Sequence, residues 1–277
     1  LVFVYDFAED VTQSDGPKPL GPQVYYLRLC QRLVTAITTE TGEGALYEVD
    51  TRLRPSGKAG ALATQLAGFA KYYKLPEGEA WTWEHMALTR ARPVYGSAAL
   101  QARLTEVIRT ALVQPRDIKK LLVDVDTMRN RIAREFAAKS EWDVKYRPGG
   151  LVDVEFTVQA LQLAYAAENP SILSTNTADA LERLQAAGYL TEPAFTALRE
   201  GLRLWRQVQA AIRLTAPGGG FDASSALEGQ KRALARAAGV DTFEDLAPRM
   251  EIVAQAVRGQ YEALIATPAA RYRKDLT

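Results

Sequence analysis

The sequence of 277 residues predicts an α+β protein in which a small mixed unit precedes a bundle of helices. Short apolar runs and Gly/Pro-rich turns alternate with helical patterns over about the first ninety residues. From Ser97 onward, almost every segment instead repeats its apolar residues at helical spacing. We therefore predict a mixed domain over residues 1–96 and an all-α helical bundle over residues 97–277.

The composition is that of a folded protein without a strong charge bias. The 34 Lys and Arg residues nearly balance the 33 Asp and Glu residues, which disfavours a nucleic-acid binder, since such proteins usually carry a basic footprint. No apolar run approaches the roughly 18 residues of a membrane helix, and no signal-peptide pattern opens the chain. The single cysteine, Cys30, excludes an internal disulfide framework and predicts a reducing, cytoplasmic setting.

The mixed domain is predicted to contain three short strands. The run Leu1–Tyr5 is typical of a buried strand, and because such a strand rarely opens a natural chain, we expect this sequence to be a piece of a longer one. Residues 47–50 alternate like a strand, and residues 60–64 resemble its return strand across a hairpin turn. Helices are predicted over 24–39, about 65–74 and about 80–91.

The second domain is predicted to be helical throughout. Ser97 and Thr191 are natural N-caps, as is Ser224, and glycines at 188 and 239 are natural stops. The segment Leu151–Ala167 is apolar on nearly every side, which is typical of a central buried helix. The helical patterns cover 97–112, 118–136, 151–167, 175–187, 191–214, 224–238 and 242–266.

The segment YEVDTRLRPSG carries the most distinctive polar cluster. On a strand, Asp50, Arg52 and Arg54 would share one face, which is costly to bury without an ionic ligand. Mg²⁺ on Asp50 and a polyphosphate on the arginines would satisfy all three. Ser56 and Lys58 in the following turn add groups that a phosphate could use. The alternative is a local Asp–Arg pair at a turn, and one carboxylate is not a complete metal site.

A second polar cluster surrounds the start of the predicted central helix. Asp153 and Glu155 lie in its first turn, where the helix dipole favours acids, and this is the structural interpretation. Two acids on an otherwise apolar helix also need partners, and Lys145 or a metal-bound nucleotide would serve. Both interpretations stay open at this point. The only histidine, His85, has no partner of its own type, which favours a structural role.

Three segments in order resemble the glutamine synthetase adenylyltransferases, bifunctional bacterial enzymes of nitrogen control. The segments are YEVDTRLRPSGKAG, EAWTWEHMALTRARPVYG and GGLVDVEF, and the resemblance covers roughly residues 1–215. It implies a partial polymerase-β-like nucleotidyltransferase domain followed by a helical bundle. It also implies ATP as substrate, Mg²⁺ as cofactor, and glutamine synthetase and the PII nitrogen signal protein as partners. EAWTWEHMALTRAR is similar to the carboxy-terminal, adenylylating half of these enzymes.

The resemblance also implies residue roles. Asp50 matches the third metal ligand of the family, whereas the Asp-x-Asp pair that supplies the first two would directly precede Leu1. We therefore expect the intact enzyme to transfer AMP from ATP to a tyrosine of glutamine synthetase, and this chain alone to be inactive. Arg52, Arg54 and Lys58 would hold the triphosphate. The residues that would line the cleft from the helical side are Lys145, Asp153 and Glu155.

Three alternatives share some of these features. The same fold can run the opposite reaction, the phosphorolytic removal of AMP. The chain can also be a non-catalytic module whose bundle docks glutamine synthetase or a signal protein. A uridylyltransferase of the nitrogen-signalling system shares the fold, but the EAWTWEH and GGLVDVEF segments argue against it.

Overall fold

The computed structural model of the chain describes residues 1–44, 46–216 and 220–275. These residues form two compact units, Leu1–Gln114 and Pro115–Thr277. The chain is mostly helical with one two-stranded parallel sheet, so the predicted α+β class is confirmed. No helix in the described part of the chain is both long and apolar enough to cross a membrane.

The first unit combines the sheet with four helices. β1 pairs with β2 in parallel, with Phe3 opposite Ala63. Between the strands the chain passes through α1, whose Cys30 is buried with Tyr5 and Ala63 in a small apolar cluster. The elements are β1 Phe3–Tyr5, α1 Pro22–Thr38, β2 Ala63–Gln65, α2 Leu66–Tyr72, α3 Thr82–Leu88 and α4 Ala98–Leu112.

The predicted hairpin is wrong. Residues 47–50 are irregular backbone, and Tyr47 is 70% exposed, so the alternating residues have no core to face. The predicted return strand pairs with β1 instead, because Ala63–Gln65 aligns in register with Phe3–Tyr5. β1 is also shorter than predicted, since Leu1 is half exposed and precedes it.

The bounds of the helices in the first unit confirm the helices that were predicted from apolar periodicity. α1, α2 and α3 lie within two or three residues of their predicted bounds. The Ser97 hydroxyl accepts a hydrogen bond from the Leu100 amide, as expected of an N-cap. α4 packs against α2 and α3, so the compact unit ends at Gln114, one helix beyond the predicted domain boundary.

The second unit is a bundle arranged around one helix. α6 is buried on nearly every side and contacts α5, α7, α8 and α10, which confirms the predicted central helix. Trp205 on α8 and Tyr261 on α10 are completely buried. The elements are α5 Ile118–Glu135, α6 Leu151–Tyr165, α7 Thr177–Ala186, α8 Glu192–Thr215, α9 Glu228–Ala238, α10 Leu246–Tyr261 and α11 Thr267–Asp275.

Two details of the bundle differ from the prediction. Ser224 is not a helix cap, because its hydroxyl donates to Asp222 in a turn and α9 begins only at Glu228. The predicted helix over 242–266 begins at Leu246 and continues through a π-helical segment, Glu262–Ala266, into α11. The other predicted cap and stops are confirmed: Thr191 caps α8, while the glycines at 188 and 239 have left-handed φ angles after α7 and α9.

Candidate functional site

The predicted site residues of the first unit lie on one loop, residues 50–60, which we call the Asp50 loop. Ser56 and Gly57 have left-handed φ angles of 59° and 54°, and Gly57–Ala59 forms a short 3₁₀ turn. A Cβ at Gly60 would collide with the carbonyl group of Pro55, so the loop closes only with glycine there. The order of Pro, Ser and Gly therefore sets a compact, specific loop shape.

Asp50 and Arg52 form an ion pair within this loop. The Arg52 Nη2–Asp50 Oδ2 distance is 2.7 Å, and the Arg52 Nε–Asp50 Oδ1 distance is 3.0 Å. The Arg52 side-chain hydrogen bonds and backbone N–H lower the pKa of Asp50 to about 2. Asp50 is thus ionised at neutral pH, and both side chains stay more than half exposed.

Arg54 holds the loop together from inside. Its guanidinium donates to the carbonyl oxygens of Thr51 at 3.0 Å, Gly60 at 3.2 Å and Lys58 at 3.3 Å. A further hydrogen bond reaches the Thr51 hydroxyl. The planar fork of arginine makes such multiple contacts favourable. Much of the donor capacity of Arg54 therefore serves the loop itself, while Ser56 and Lys58 lie on its exposed side.

Side chains of α2 and α3 form a second polar pair in the first unit. The Tyr72 hydroxyl donates to the Glu84 carboxylate, 2.9 and 3.0 Å from its two oxygens. Glu84 is 3% exposed and also accepts the Trp81 N–H at 2.9 Å. Burial raises the pKa of Tyr72. The Tyr72 hydroxyl on α2 therefore helps to satisfy a buried carboxylate on α3.

In the second unit, Asp153 is completely buried with protein partners on both carboxylate oxygens. Arg129 Nε on α5 donates to Oδ1, and the Gly149 amide donates to Oδ2 at 2.6 Å. Arg258 Nη1 on α10 lies 3.5 Å from Oδ2. Such a satisfied buried charge organises the helices around it. The geometry therefore favours the structural interpretation of Asp153, and contact of this residue with a nucleotide stays a prediction.

Lys145 and Glu155 are only partly buried. The Lys145 Nζ lies 4.7 Å from the centre of the Tyr146 ring, in a cation–π contact. The Lys145 carbonyl accepts the Val152 amide and so ties this residue to the start of α6. Glu155 faces outward from α6 by comparison with Asp153. Both side chains remain accessible to a ligand, and their contact with a nucleotide also stays a prediction.

His85 is buried in the first unit. Its Nε2 lies 3.2 Å from the Tyr73 carbonyl oxygen, and its ring packs edge-on against the Tyr73 ring. These contacts support the structural role predicted for it.

An apolar groove of about 690 Å³ lies between α2 and α4. Leu66, Ala70 and Val107 line it, and the Asp6–Arg103 ion pair borders it. Asp6 follows β1, whereas the amino group of Leu1, before β1, donates to the Asp50 carbonyl. The groove and the Asp50 loop therefore lie toward opposite ends of the strand, and none of the predicted site residues lines the groove.

The residues that the structure describes do not form a metal cluster by themselves. Among them, no group of three or more His, Cys, Asp or Glu side chains is placed to hold a metal ion. Asp50 offers one carboxylate, already paired with Arg52. A divalent cation in a transferase site needs two or three carboxylates, so this set does not fit Mg²⁺ without further ligands.

Sequence reasoning missed the partners of the buried acids. Arg129 lies four residues after Val125, on the buried face of α5, so a charge on an apolar stripe was the available signal. Glu84 follows Trp81 by three residues, the spacing of a capping box. No sequence pattern pointed to Tyr72, because its contact with Glu84 depends on how α2 and α3 pack together.

Comparison with protein families divides the chain as the compact units do. Residues 1–107 match the profile of the glutamate-ammonia ligase adenylyltransferase family. Residues 116–265 match the profile of the GlnD PII-uridylyltransferase family. The helical unit is thus of a type found in both kinds of enzyme.

Curated relatives match nearly the whole chain. Bifunctional glutamine synthetase adenylyltransferase/adenylyl-removing enzymes from Rhodopseudomonas palustris strain BisB5 and Brucella suis biovar 1 are each 40% identical over 96% of it. The Bradyrhizobium sp. strain BTAi1 enzyme is 41% identical over the same share. The chain spans about a quarter of their length, 26%. Nearly the whole chain is therefore similar to one part of these bifunctional enzymes, and its first unit also matches the adenylyltransferase profile.

Proposed function

We propose that this chain serves an enzyme that transfers AMP from ATP to a tyrosine of glutamine synthetase. The observation that carries the proposal is the Asp50 loop, in which an ionised carboxylate, exposed cations and a closed turn lie together. The loop belongs to the part of the chain that matches the adenylyltransferase profile. The names of the relatives supply the protein substrate, glutamine synthetase.

The proposed reaction is an in-line displacement at the α-phosphorus of ATP. A tyrosyl oxygen forms the new P–O bond, the bond to pyrophosphate breaks, and the tyrosyl proton leaves to solvent or a base. Arg52 and Lys58 face solvent on the loop and would bind the triphosphate. Arg54 would contribute chiefly by keeping the loop closed, with its remaining donor capacity available to a phosphate.

Mg²⁺ at Asp50 is part of the proposal only with additional ligands. The described residues supply one carboxylate at this position, so further ligands would have to complete the metal site. The family's Asp-x-Asp pair would precede β1, and the hydrogen bond from Leu1 to the Asp50 carbonyl brings the start of β1 to this loop. A cation would neutralise charge on the phosphates there.

Lys145 and Glu155 of the second unit are further proposed nucleotide contacts. Lys145 is a cation and Glu155 an acid at the start of α6, both partly buried. Asp153 would act indirectly, by fixing the first turn of α6 through Arg129 and the Gly149 amide. The PII signal protein is a further proposed partner, and a cytoplasmic setting is the proposed location.

The removal of AMP by phosphorolysis is the second candidate, because the relatives are named for both activities. The EAWTWEHMALTRAR segment favours addition. Incubating the full-length polypeptide with adenylylated glutamine synthetase and phosphate separates the two. Loss of ADP release in Asp50→Asn, with transfer of AMP from ATP retained, would assign this part of the enzyme to removal.

The direct test follows label from [α-³²P]ATP into glutamine synthetase, with release of pyrophosphate, in the full-length polypeptide. We expect Asp50→Asn to reduce transfer at least about a hundredfold, the scale on which losing a group that stabilises transition-state charge slows an enzyme. Asp15→Asn is the matched control, because Asp15 is another exposed loop aspartate of the same unit. Equal transfer by both variants would contradict the proposal.

A further inference from the structure

The groove between α2 and α4, which we call the α2–α4 groove, lies at the carboxyl ends of both strands. Asp6 directly follows β1 and Leu66 directly follows β2, and both residues line the groove. The strands are parallel, with Tyr5 opposite Gln65, so their carboxyl ends lie at the same edge of the sheet. In open sheets of parallel strands and helices, ligands bind in the crevice beyond that edge. The fold therefore places this groove where a ligand site is expected.

The groove has the size and the lining of a small-molecule site. Its volume of about 690 Å³ lies within the range of roughly 300–1,000 Å³ that such sites occupy. Leu66, Tyr73 and Ala111 line it and are buried, so its floor is apolar. Because α2 has seven residues, the wall that it forms is only about 10 Å long. An amphipathic helix anchored through two turns would need all of that length, whereas a small molecule fits within it.

Both acids that line the groove already have cationic partners. Asp6, whose side chain is 16% exposed, pairs with Arg103 of α4. Glu106 lies 3.7 Å from Arg109 and also accepts the Thr110 hydroxyl at 3.4 Å. A cationic ligand would have to compete with these arginines for the carboxylates. The acids of the groove therefore do not favour a cation.

The lysines of α2 and its end supply the charge that a ligand can use. Lys74 forms only an exposed pair with Glu77, at 3.6 Å. Lys71 lines the groove, is exposed, and has no ion-pair partner among the residues that the structure describes. Since exposed pairs contribute little to stability, an anion can bind these ammonium groups at little cost to the fold. An apolar molecule with an anionic group would thus complement both the floor and this wall.

We propose that the α2–α4 groove binds a small molecule that joins an apolar body to one anionic group. Lys71 is the charge contact, and Ala70 and Val107 contact the apolar body. All residues that line the groove belong to the first unit. The site lies toward the opposite end of β1 from the Asp50 loop, so the inference does not depend on the proposed function.

Anilinonaphthalene sulfonate is the probe for this site, because it joins an aromatic body to one sulfonate and fluoresces in apolar surroundings. In the 277-residue chain, we expect Lys71→Gln to raise its Kd about tenfold, the scale of one lost charge-assisted contact. Phenylnaphthylamine, the same body without the sulfonate, should bind both chains equally well. Lys18→Gln is the matched control, since Lys18 is an exposed lysine of the same unit that does not line the groove. An unchanged Kd for the sulfonate in Lys71→Gln would overturn the choice of an anion.

A second substitution tests whether the groove itself is the site. In Ala70→Phe the added ring would fill the apolar floor, so we expect the Kd of anilinonaphthalene sulfonate to rise at least about tenfold. Ala102→Phe is the matched control, because Ala102 is exposed on α4 and does not line the groove. Full affinity in Ala70→Phe would overturn the proposal. If Ala70→Phe folds poorly, the exposed change Lys71→Gln keeps the test decisive.

Hydrogen exchange separates a small-molecule site from a protein docking site. We expect peptides from Leu66–Tyr72 and Ala98–Leu112 to exchange equally fast in the 277-residue chain and in the full-length polypeptide. Anilinonaphthalene sulfonate should slow their exchange in both. Protection in the full-length polypeptide without any probe, together with loss of probe binding there, would show that another segment fills the groove. That result would overturn the proposal.

Discussion

At the scale of single residues, the charged groups of the chain perform two different tasks. Arg54 and Arg129 donate to carbonyl or carboxylate oxygens inside the protein and shape the segments around them. Arg52 and Lys58 instead remain on the exposed side of their loop. Buried charges of the first kind are strongly destabilising when one partner is removed, whereas exposed ones contribute little to stability. Replacing an exposed partner by a ligand, such as Asp50 on Arg52, therefore costs the fold little.

The Asp50–Arg52 pair predicts a low acid titration. The pKa of Asp50 is lowered to about 2 from an ordinary value of 3.8, chiefly by side-chain hydrogen bonds from Arg52. Because the folded pKa is depressed, the stabilisation is complete above the ordinary value and is lost as pH falls toward 2. A carbon-13 NMR titration of the Asp50 carboxyl should show this pKa. Arg52→Ala should return it toward 3.8, and an unchanged titration would contradict the pairing.

The buried Asp153 predicts a large loss of stability on substitution. Asp153→Ala leaves the Arg129 guanidinium buried without its carboxylate, so we expect the free energy of unfolding to fall by about 3–5 kcal/mol in urea denaturation. Glu135→Gln is the matched control, because it breaks the exposed Arg131–Glu135 pair of α5. That change should cost no more than about 1 kcal/mol. Similar effects of the two substitutions would contradict the structural role of Asp153.

At the scale of elements, the patterns that depend on one segment predicted the fold well. The central helix α6 was recognisable because its apolar residues cover nearly every side, and it is buried accordingly. The strand predicted over residues 47–50 does not form. An alternating pattern becomes a strand only when another strand pairs with it, and β1 pairs with Ala63–Gln65 instead.

The site could be predicted only in part. Asp50, Arg52 and Arg54 were singled out from one short segment as a strand face, whereas they lie on a loop, and their role at a site stays a prediction. The partners of Asp153 come from α5 and α10, which lie far from it in the sequence. Neither the residue composition of α6 nor the spacing of its apolar residues can reveal partners on other helices. The same holds for Tyr72 and Glu84, which meet only when their helices pack.

The start of α6 predicts a contrast between two glycines. Gly149 and Gly188 have similar left-handed φ angles of 72° and 79°. A Cβ at Gly149 would collide with the Ala254 carbonyl of α10, whereas nothing lies within 4 Å at Gly188. Gly149→Ala should therefore lower the free energy of unfolding by about 3 kcal/mol or more, and Gly188→Ala by about 1–2 kcal/mol. Equal losses in thermal or urea unfolding would contradict the close approach.

At the scale of the whole molecule, the two units differ in how much they bury. α1 has one buried residue, Cys30, and Leu29 and Leu33 on it are nearly half exposed. α6 buries most of its residues in a large apolar cluster of the second unit. Local stability follows buried apolar contact, so the first unit is expected to open more readily around α1.

Hydrogen exchange should reveal this difference. We expect the amides of α6 to exchange at least about a hundredfold more slowly than those of α1, because the amides of α6 become exposed to solvent only when the bundle unfolds. Mass spectrometry of peptides from Pro22–Thr38 and Leu151–Tyr165 provides the measurement. Comparable exchange in the two helices would contradict the assignment of the main core to the second unit.

The parallel pairing of β1 with β2 has a consequence for the order of folding. Phe3 pairs with Ala63 only after the intervening stretch of chain has closed into a loop. That closure costs conformational entropy, which only contacts formed late in folding can offset. In the bundle, consecutive helices such as α7 and α8 or α8 and α9 pack directly against each other, so these contacts close shorter stretches of chain. On refolding from denaturant, the bundle should therefore assemble first, and the sheet beside the Asp50 loop should be the last part to gain its final order.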